Sequence, residues 1–378
     1  MWGCRHPESF NFSDFQLPYS RKANIVWITA FISLIGSKSY FIDNNLNEMT
    51  KVSEISEFDL IARLETVLEH NVTPNAESKI QVAIGDDAAV IGNLDNLQVV
   101  TTDAMVDKVH FVSDEVDMRN LGWKSLAVNY SDIASMGCKP VYSVVTLGLR
   151  ADISVEQLEN LYLGFADLLN LYGGELVGGD IVKSDTFFIS ITVVGSTEKP
   201  ETMQRKTAVA GDVIAVTGPL GCSNAGLRLL LSGDLQKASH FYEAHYLPRP
   251  RIYEGINLLD MGIKTGMDIS DGLLNDLKKI CVASSVNATI NLDSIPVHEE
   301  LKLSFPDNFR EMAISGGEDY ELLITGRESL IRYISDSTKI DLHIVGEIEI
   351  GSGNVNAVDN SGAQISITTG GWDHFTEN

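Results

Sequence analysis

DMRNLGWKSLAVNYSDIASMG, residues Asp117–Gly137, reads as one long helix, with Asp117 placed to cap its start and Gly137 to end it. Asn129 and Asp132 lie three apart on it, so they share one face of an otherwise apolar helix. Before it, NLQVVTTDAMVD (Asn96–Asp107) predicts a strand that runs through Thr102 and stops at Asp103. After it, VYSVVTLGL (Val141–Leu149) predicts another. Further out come a helix carrying Phe58, Ile61, Ala62, Leu64 and Leu68, a helix over 155–171, and strands ELVGGD (Glu175–Asp180) and TFFISITVVGS (Thr186–Ser196). Strands and helices alternate, which is α/β or α+β sequence.

The pattern loosens over EKPETMQRKTAVAGD (Glu198–Asp212), and a domain boundary is expected there, near Arg205 to Gly211. Residues 49–206 then form an N-terminal domain and 207–378 a C-terminal one. The second half begins with strand DVIAVTG and the loop GPLGCSNAG, which leads into helix LRLLL. It continues through the connector HYLPRPR, the strand-to-helix turn GMDISDGLLNDLKKI, strand NATINL, the segment AISGGEDYELLIT and strand DLHIVGEI. Both halves set acidic clusters where a strand meets a helix, which hints at two related halves.

A chain of 378 residues, 44% of them hydrophobic, is long enough for two cores. Its net charge of −24 argues against sequence-independent nucleic-acid binding, which needs Lys/Arg stripes. It fits a cytoplasmic protein with no membrane partner. The four cysteines form no Cys-x-x-Cys pair, so neither a disulfide framework nor a thiolate zinc site is implied. Residues 1–48 stand apart. Arg21 and Lys22 precede an apolar run, Ile25–Ile35, too short to span a bilayer and followed by no Ala-x-Ala site. The expectation is that Met49 is the natural start, with 1–48 upstream read-through or a disordered extension; a signal peptide is the minority reading.

Carboxylates recur beside small residues at strand ends: GDD (Asp86, Asp87), TTD (Asp103), NYSD (Asp132), VGGD (Asp180), MDISDG (Asp268, Asp271) and SGGED (Glu318, Asp319). Any one of them alone is better read as a helix cap or Asx-turn. Several converging on one cleft is another matter, because two carboxylates ~5 Å apart repel by roughly 3 kcal/mol at an effective dielectric near 20. Cations relieve that most economically, and all-oxygen donors select Mg²⁺ first and Ca²⁺ second. The calcium-loop spacing is missing, GPLGCSNAG lacks the Gly-Lys-Ser/Thr of a Walker loop, and the protein-kinase motifs are absent. Since Mg²⁺ commonly shares its coordination with substrate phosphates, a nucleotide or phosphoryl substrate is expected.

In order along the chain, IGDDAAV, TTDAMVDKVHF, AVNYSDIASMGCKP, VGGD, GDVIAVTG, MDISDGLLNDL, SGGEDYELL and the terminal WDHF resemble the thiamine-monophosphate kinases. These lie within the superfamily that also holds aminoimidazole ribonucleotide synthetase and selenophosphate synthetase, and the likeness runs from about Phe58 to Phe375. It implies that ATP and thiamine monophosphate are the substrates and that several Mg²⁺ ions assist direct transfer, with no catalytic residue of covalent kind. It also implies an α/β N-terminal half whose sheet pairs with that of a second subunit in a homodimer, and an α/β C-terminal half. Carried over by position, Asp87, Thr101, Thr102, Asp103, Asp132, Asp180, Asp268 and Asp271 match metal ligands. Gly179, Asp180, Arg205 and Ser270 match ATP contacts, and His110, Glu318 and Trp372 match substrate contacts. Trp372 has two readings, stacking on a flat heterocycle or closing the C-terminal core. His110 competes with a plain loop histidine, and Arg205 with a solvated linker arginine. Ile181 and Val182, Cys222 and Lys108 depart from the family's usual residues. Two rivals stand beside this reading: another ATP-using member of the superfamily, and a non-catalytic protein that binds divalent cations.

Overall fold

The computed structural model describes residues 80–82, 86–92, 96–234, 236 and 239–365. The extension 1–48, the helix expected around Phe58–Leu68, and Trp372 lie outside them. Strands β1 (Ile80–Val82), β2 (Ala89–Gly92), β3 (Leu97–Val106), β4 (Lys139–Leu149), β5 (Glu175–Lys183) and β6 (Phe188–Thr197) form one sheet, ordered β1-β2-β3-β6-β4-β5. Helix α1 (Met118–Ser135) links β3 to β4, and α2 (Val155–Tyr172) makes the crossover between the parallel pair β4 and β5.

Local chemistry sets these bounds. Asp117 accepts from the Arg119 amide to start α1, while Gly137, in the left-handed region at φ +72°, follows its end. Ser154 and Gln157 form a reciprocal capping box on α2. One expectation fails at β3, which does not stop at Asp103. Its ladder with β6 runs unbroken from Leu97 opposite Thr197 to Val106 opposite Phe188, because ten residues of backbone pairing outweigh one polar side chain. Likewise β5 continues past Asp180 to Lys183, held by β4 as far as Leu149.

Helices α1 and α2 cover one face of this sheet, burying Val99, Thr101, Met105, Val145, Leu147, Ile189 and Ile191. The other face leaves Thr102, Ala104, Tyr142 and Val144 exposed, and β5 is exposed at every position but the half-buried Leu176. Fourteen of the 18 residues of α1 are buried, so it is enclosed all round. A side chain at Gly122 would strike the Leu161 carbonyl, and one at Gly164 the Arg119 carbonyl, so glycine is what lets α1 and α2 approach so closely.

The second sheet, in the order β12-β9-β11-β7-β10-β8, comprises β7 (Val213–Val216), β8 (Thr265–Asp268), β9 (Val286–Asn291), β10 (Leu322–Gly326), β11 (His343–Ile350) and β12 (Val355–Val358). Among the described residues its helices are α3 (Cys222–Ser232), α4 (His240–Tyr246), α5 (Ile252–Asp260), α6 (Leu273–Ser284), α7 (Glu299–Ser304), α8 (Phe309–Ser315) and α9 (Glu328–Ser337). This sheet is apolar on both faces. Ile214, Val216 and Leu323 enter the core with α6, while Ala215, Leu322 and Ile324 join the core that contains α1. The mixed α/β, two-sheet architecture is the one expected. Two details differ: His245 and Tyr246, read as connector, complete α4 and are buried, and α3 starts at Cys222. Its early start has a cause, since the Asp319 carboxyl accepts from the amides of Gly221 and Ser223 at its first turn.

Candidate active site

Three aspartates from three elements meet beside the C-terminal half of α1. Asp87 comes from the turn before β2, Asp132 from α1 and Asp268 from the end of β8, and one carboxylate oxygen of each lies within 4.8 Å of the others. Hydroxyls orient them. Ser135 Oγ donates to Asp87 at 3.1 Å and Ser131 Oγ to Asp268 at 2.6 Å, while Thr101 Oγ1 donates to Asp132 at 2.5 Å. Asp103, two residues beyond Thr101 and so on the same face of β3, joins through a side-chain hydrogen bond to Asp132, and its amide donates to Asn129 at 3.0 Å.

Packed together, these groups resist ionisation. Burial, then the charges of Asp87 and Asp271, push Asp103 up to about 6. Burial and the neighbouring aspartates hold Asp132 and Asp268 well above the ordinary carboxylate range. The cation that touches the trio is Arg205, from the short 3₁₀ turn Arg205–Thr207: its guanidinium hydrogen-bonds Asp87, and its amide donates to Asp86 at 3.2 Å. Burial pulls the Arg205 pKa down, but Asp87, Asp86 and Asp268 together outweigh it and the net shift is upward. Asp86 also accepts from the Asp87 amide at 3.0 Å, and burial together with Asp87 raises it to about 6.

The MDISDG turn between β8 and α6 carries Ser270 and Asp271. Their two amides both donate to Asp276 Oδ2 at 3.0 Å, and Lys279 bridges Asp271 at 2.6 Å and Asp276 at 2.8 Å. Sequence reasoning missed Asp276; an acid four residues into a helix that follows a ligand-rich turn was the available signal. The same turn is tied to SGGED, because the Glu318 amide donates to the Ser270 carbonyl at 2.8 Å and the Tyr320 amide to that of Ile269 at 2.9 Å. Glu318 and Tyr320 hold left-handed φ values of 65° and 51°, a strain that these bonds maintain. The Tyr320 phenol lies within electrostatic reach of both Glu318 and the aspartates, which, after burial, drive its pKa well upward.

Glu318 takes a hydrogen bond from the buried Lys124 at 3.0 Å. Burial opposes its ionisation, but Lys124, His245 and His110 together leave its pKa lowered. The His110 ring is fixed on its own loop, where Nδ1 accepts from the Val106 amide at 3.1 Å. Lys124 and His245 were also missed, although a lone lysine on an otherwise apolar helix is a visible anomaly.

Three expected residues do not join this group. Thr102 points to the opposite face of β3, where its hydroxyl donates to the Ile191 carbonyl at 2.9 Å. Asp180 pairs through Thr146 and Ser190 with Ala104, so it shares that open face, and its carboxylate accepts from the Ile181 amide at 2.9 Å. Gly179 lies in the row of Asp103 but three strand spacings away, ~14 Å. Of the departures, Ile181 and Val182 are exposed on β5, and Lys108 sits in the left-handed region at φ 68°. Cys222 is a buried thiol that burial, with Asp319 and Glu300, pushes up to about 12.

The donor set suits a hard divalent cation: oxygen ligands only, four acids in mutual contact or close to it, and hydroxyls that orient them. What such a site can do is hold a polyphosphate.

Two six-stranded sheets joined at such a cluster define a protein of the aminoimidazole ribonucleotide synthetase-like class. Residues 85–197 match the AIR synthase related protein, N-terminal domain, and residues 209–357 its C-terminal domain. The chain belongs to the thiamine-monophosphate kinase family. It is 36% identical over 278 residues to the thiamine-monophosphate kinase of Bacillus subtilis, covering 71% of this chain and 82% of that one. It is 32% identical to that of Aquifex aeolicus, over 86% of this chain and 100% of the relative. Among solved structures, AaThiL complexed with AMPPCP and TMP superposes with a TM-score of 0.75 at 30% identity, covering 86% of this chain and 99% of that one.

Proposed function

We propose that this protein phosphorylates thiamine monophosphate to thiamine diphosphate with ATP, by direct in-line transfer. The observation that carries the reading is the convergence of Asp87, Asp132 and Asp268 within 4.8 Å, in a chain of this family, with Arg205 hydrogen-bonded to Asp87 at their edge. Residues 49–206 supply Asp87, Asp103 and Asp132, and residues 207–378 supply Ser270, Asp268, Asp271 and Glu318. Asp87, Thr101, Asp103, Asp132, Asp268 and Asp271 would hold Mg²⁺, which when bound neutralises charge on the phosphoryl oxygens.

The chain's own groups do the rest. Arg205 clamps a phosphate, Ser270 contacts the nucleotide, and His110 and Glu318 position the acceptor. The acceptor is already an anionic phosphate oxygen, so no strong general base is needed, and His110 is a binding group rather than a nucleophile.

Thr102 and Asp180 share the open face of the first sheet but stand too far apart to meet within one chain. We therefore assign that face to a homodimer contact, in which a second copy brings its Asp180 toward Thr102. Exposed Tyr142 and Val144 on the same face fit such a contact. Among the described residues no helix is long and apolar enough to cross a membrane, and we place the enzyme in the cytoplasm.

The test is incubation with ATP, Mg²⁺ and thiamine monophosphate. Thiamine diphosphate and ADP should form in equal amounts, and EDTA should stop the reaction. Tight Mg²⁺ binding without product would overturn the kinase reading in favour of a cation-binding protein.

A further inference from the structure

Lys124 is 1% exposed, yet it is a charged residue on a helix whose neighbouring positions are apolar or small. A buried lysine must be paired, and this one has two partners: Glu318 Oε2 at 3.0 Å and His245 Nε2 at 3.4 Å. An ammonium can only donate, so His245 Nε2 is the acceptor and the ring proton sits on Nδ1, which faces Ser223 Oγ at 3.2 Å. Burial and Lys124 lower the His245 pKa to about 4, so it is neutral at pH 7 and its 3.5 Å approach to Glu318 is no ion pair. Of the three groups only Glu318 reaches solvent, with 28% of its side chain exposed against 1% and 2%. Its backbone, meanwhile, is tied to Ser270 in the metal-site turn.

We propose that Lys124 is a positioning residue for the acceptor substrate: it anchors the buried side of the Glu318 carboxylate so that the open side receives the cationic ring system of that substrate. The inference rests on the reading that the acceptor is thiamine monophosphate, a phosphate ester carrying a cationic ring. Lys124 stands two turns before Asp132 on α1, ~12 Å along the helix. One rigid element thus carries a ligand for the phosphate end and the anchor for the ring end. Of these three groups His245 is neutral, which leaves Glu318 as the anion facing outward, and the Tyr246 ring lies 5.8 Å from the ammonium.

The experiment measures the full-length protein in two ways: steady-state kinetics with both substrates, and calorimetric binding of thiamine monophosphate without ATP. Lys124→Met should raise KM and Kd for thiamine monophosphate about 30-fold while the ATP KM stays within about 2-fold, and Lys124→Arg should recover most of the loss. Glu318→Gln should reproduce the loss, and Lys124→Met/Glu318→Gln should be no worse than either single change, because both act on one contact. If Lys124→Met does not fold, that charge-free pair carries the same comparison against Glu318→Gln. Equal effects on both substrates, loss in kcat alone, or additive losses in the pair would overturn the proposal. Wild-type protein that binds thiamine monophosphate but makes no diphosphate sinks the kinase reading alone; the binding series still decides the role of Lys124.

Discussion

Helix α1 carries two charged sites of opposite character. At its first turns Lys124 meets Glu318 and the neutral His245, so charge is matched inside the fold. Two turns on, Asp132 meets Asp87, Asp103 and Asp268 with, among the described residues, one arginine at the edge, so charge there is left unmatched. Unmatched burial is costly and persists in folded proteins where function needs it. The matched site balances its charge within the fold, and under the proposed function the unmatched one takes up Mg²⁺.

The largest expected effect breaks that contrast at the acid end. Asp132→Asn should cut turnover on the order of 10³-fold, about 4 kcal/mol. In metal-free protein it should raise the melting temperature by about 2 °C as repulsion is relieved. Turnover near wild type by this variant would remove Asp132 from the site. At the matched end the sign reverses. Lys124→Met strands a carboxylate and should destabilise by about 3 kcal/mol, with part of the loss regained in Lys124→Met/Glu318→Gln, as read by denaturant melts.

His245 sharpens the comparison through pH. Its folded pKa, about 4, lies below the ordinary 6.5, so the folded state keeps it neutral while the unfolded chain takes up a proton. Stability is therefore intact above pH 6.5 and is lost as pH falls from 6.5 toward 4, by about 1.4 kcal/mol at pH 5.5. His245→Gln should flatten that part of the melting-temperature curve, and an unchanged slope would place the acid sensitivity elsewhere. The smallest effect separates adjacent residues. Asp86 accepts the Asp87 amide and the Arg205 amide, whereas Asp87 belongs to the trio. Asp86→Asn should cost about 1 kcal/mol in transition-state binding, and Asp87→Asn several times that. Equal losses would contradict the division.

Much of this was readable along the chain because it is local. The cap at Asp117, the stop near Gly137 and the alternation on β3 and β6 all depend on neighbours a few residues away. The end of β3 was misjudged because an aspartate looks like a stop, whereas the β6 ladder, 90 residues on, decides where the strand ends. His245 was assigned to a connector because its burial depends on α1 and on Glu318, neither near it in sequence.

By itself the sequence determined the acidic composition, the alternating α/β order and the supply of aspartates at strand ends, since residue type and spacing are properties of the chain alone. Only the tertiary structure decided which carboxylates face one another. A strand sends successive side chains to opposite faces, so Thr101 and Asp103 reach the cluster while Thr102 and Asp180 look the other way. It also decided that Asp87 and Asp132 are left with too little positive charge while Glu318 receives Lys124. Pairing of buried charges depends on distance through space, and folding alone sets that distance.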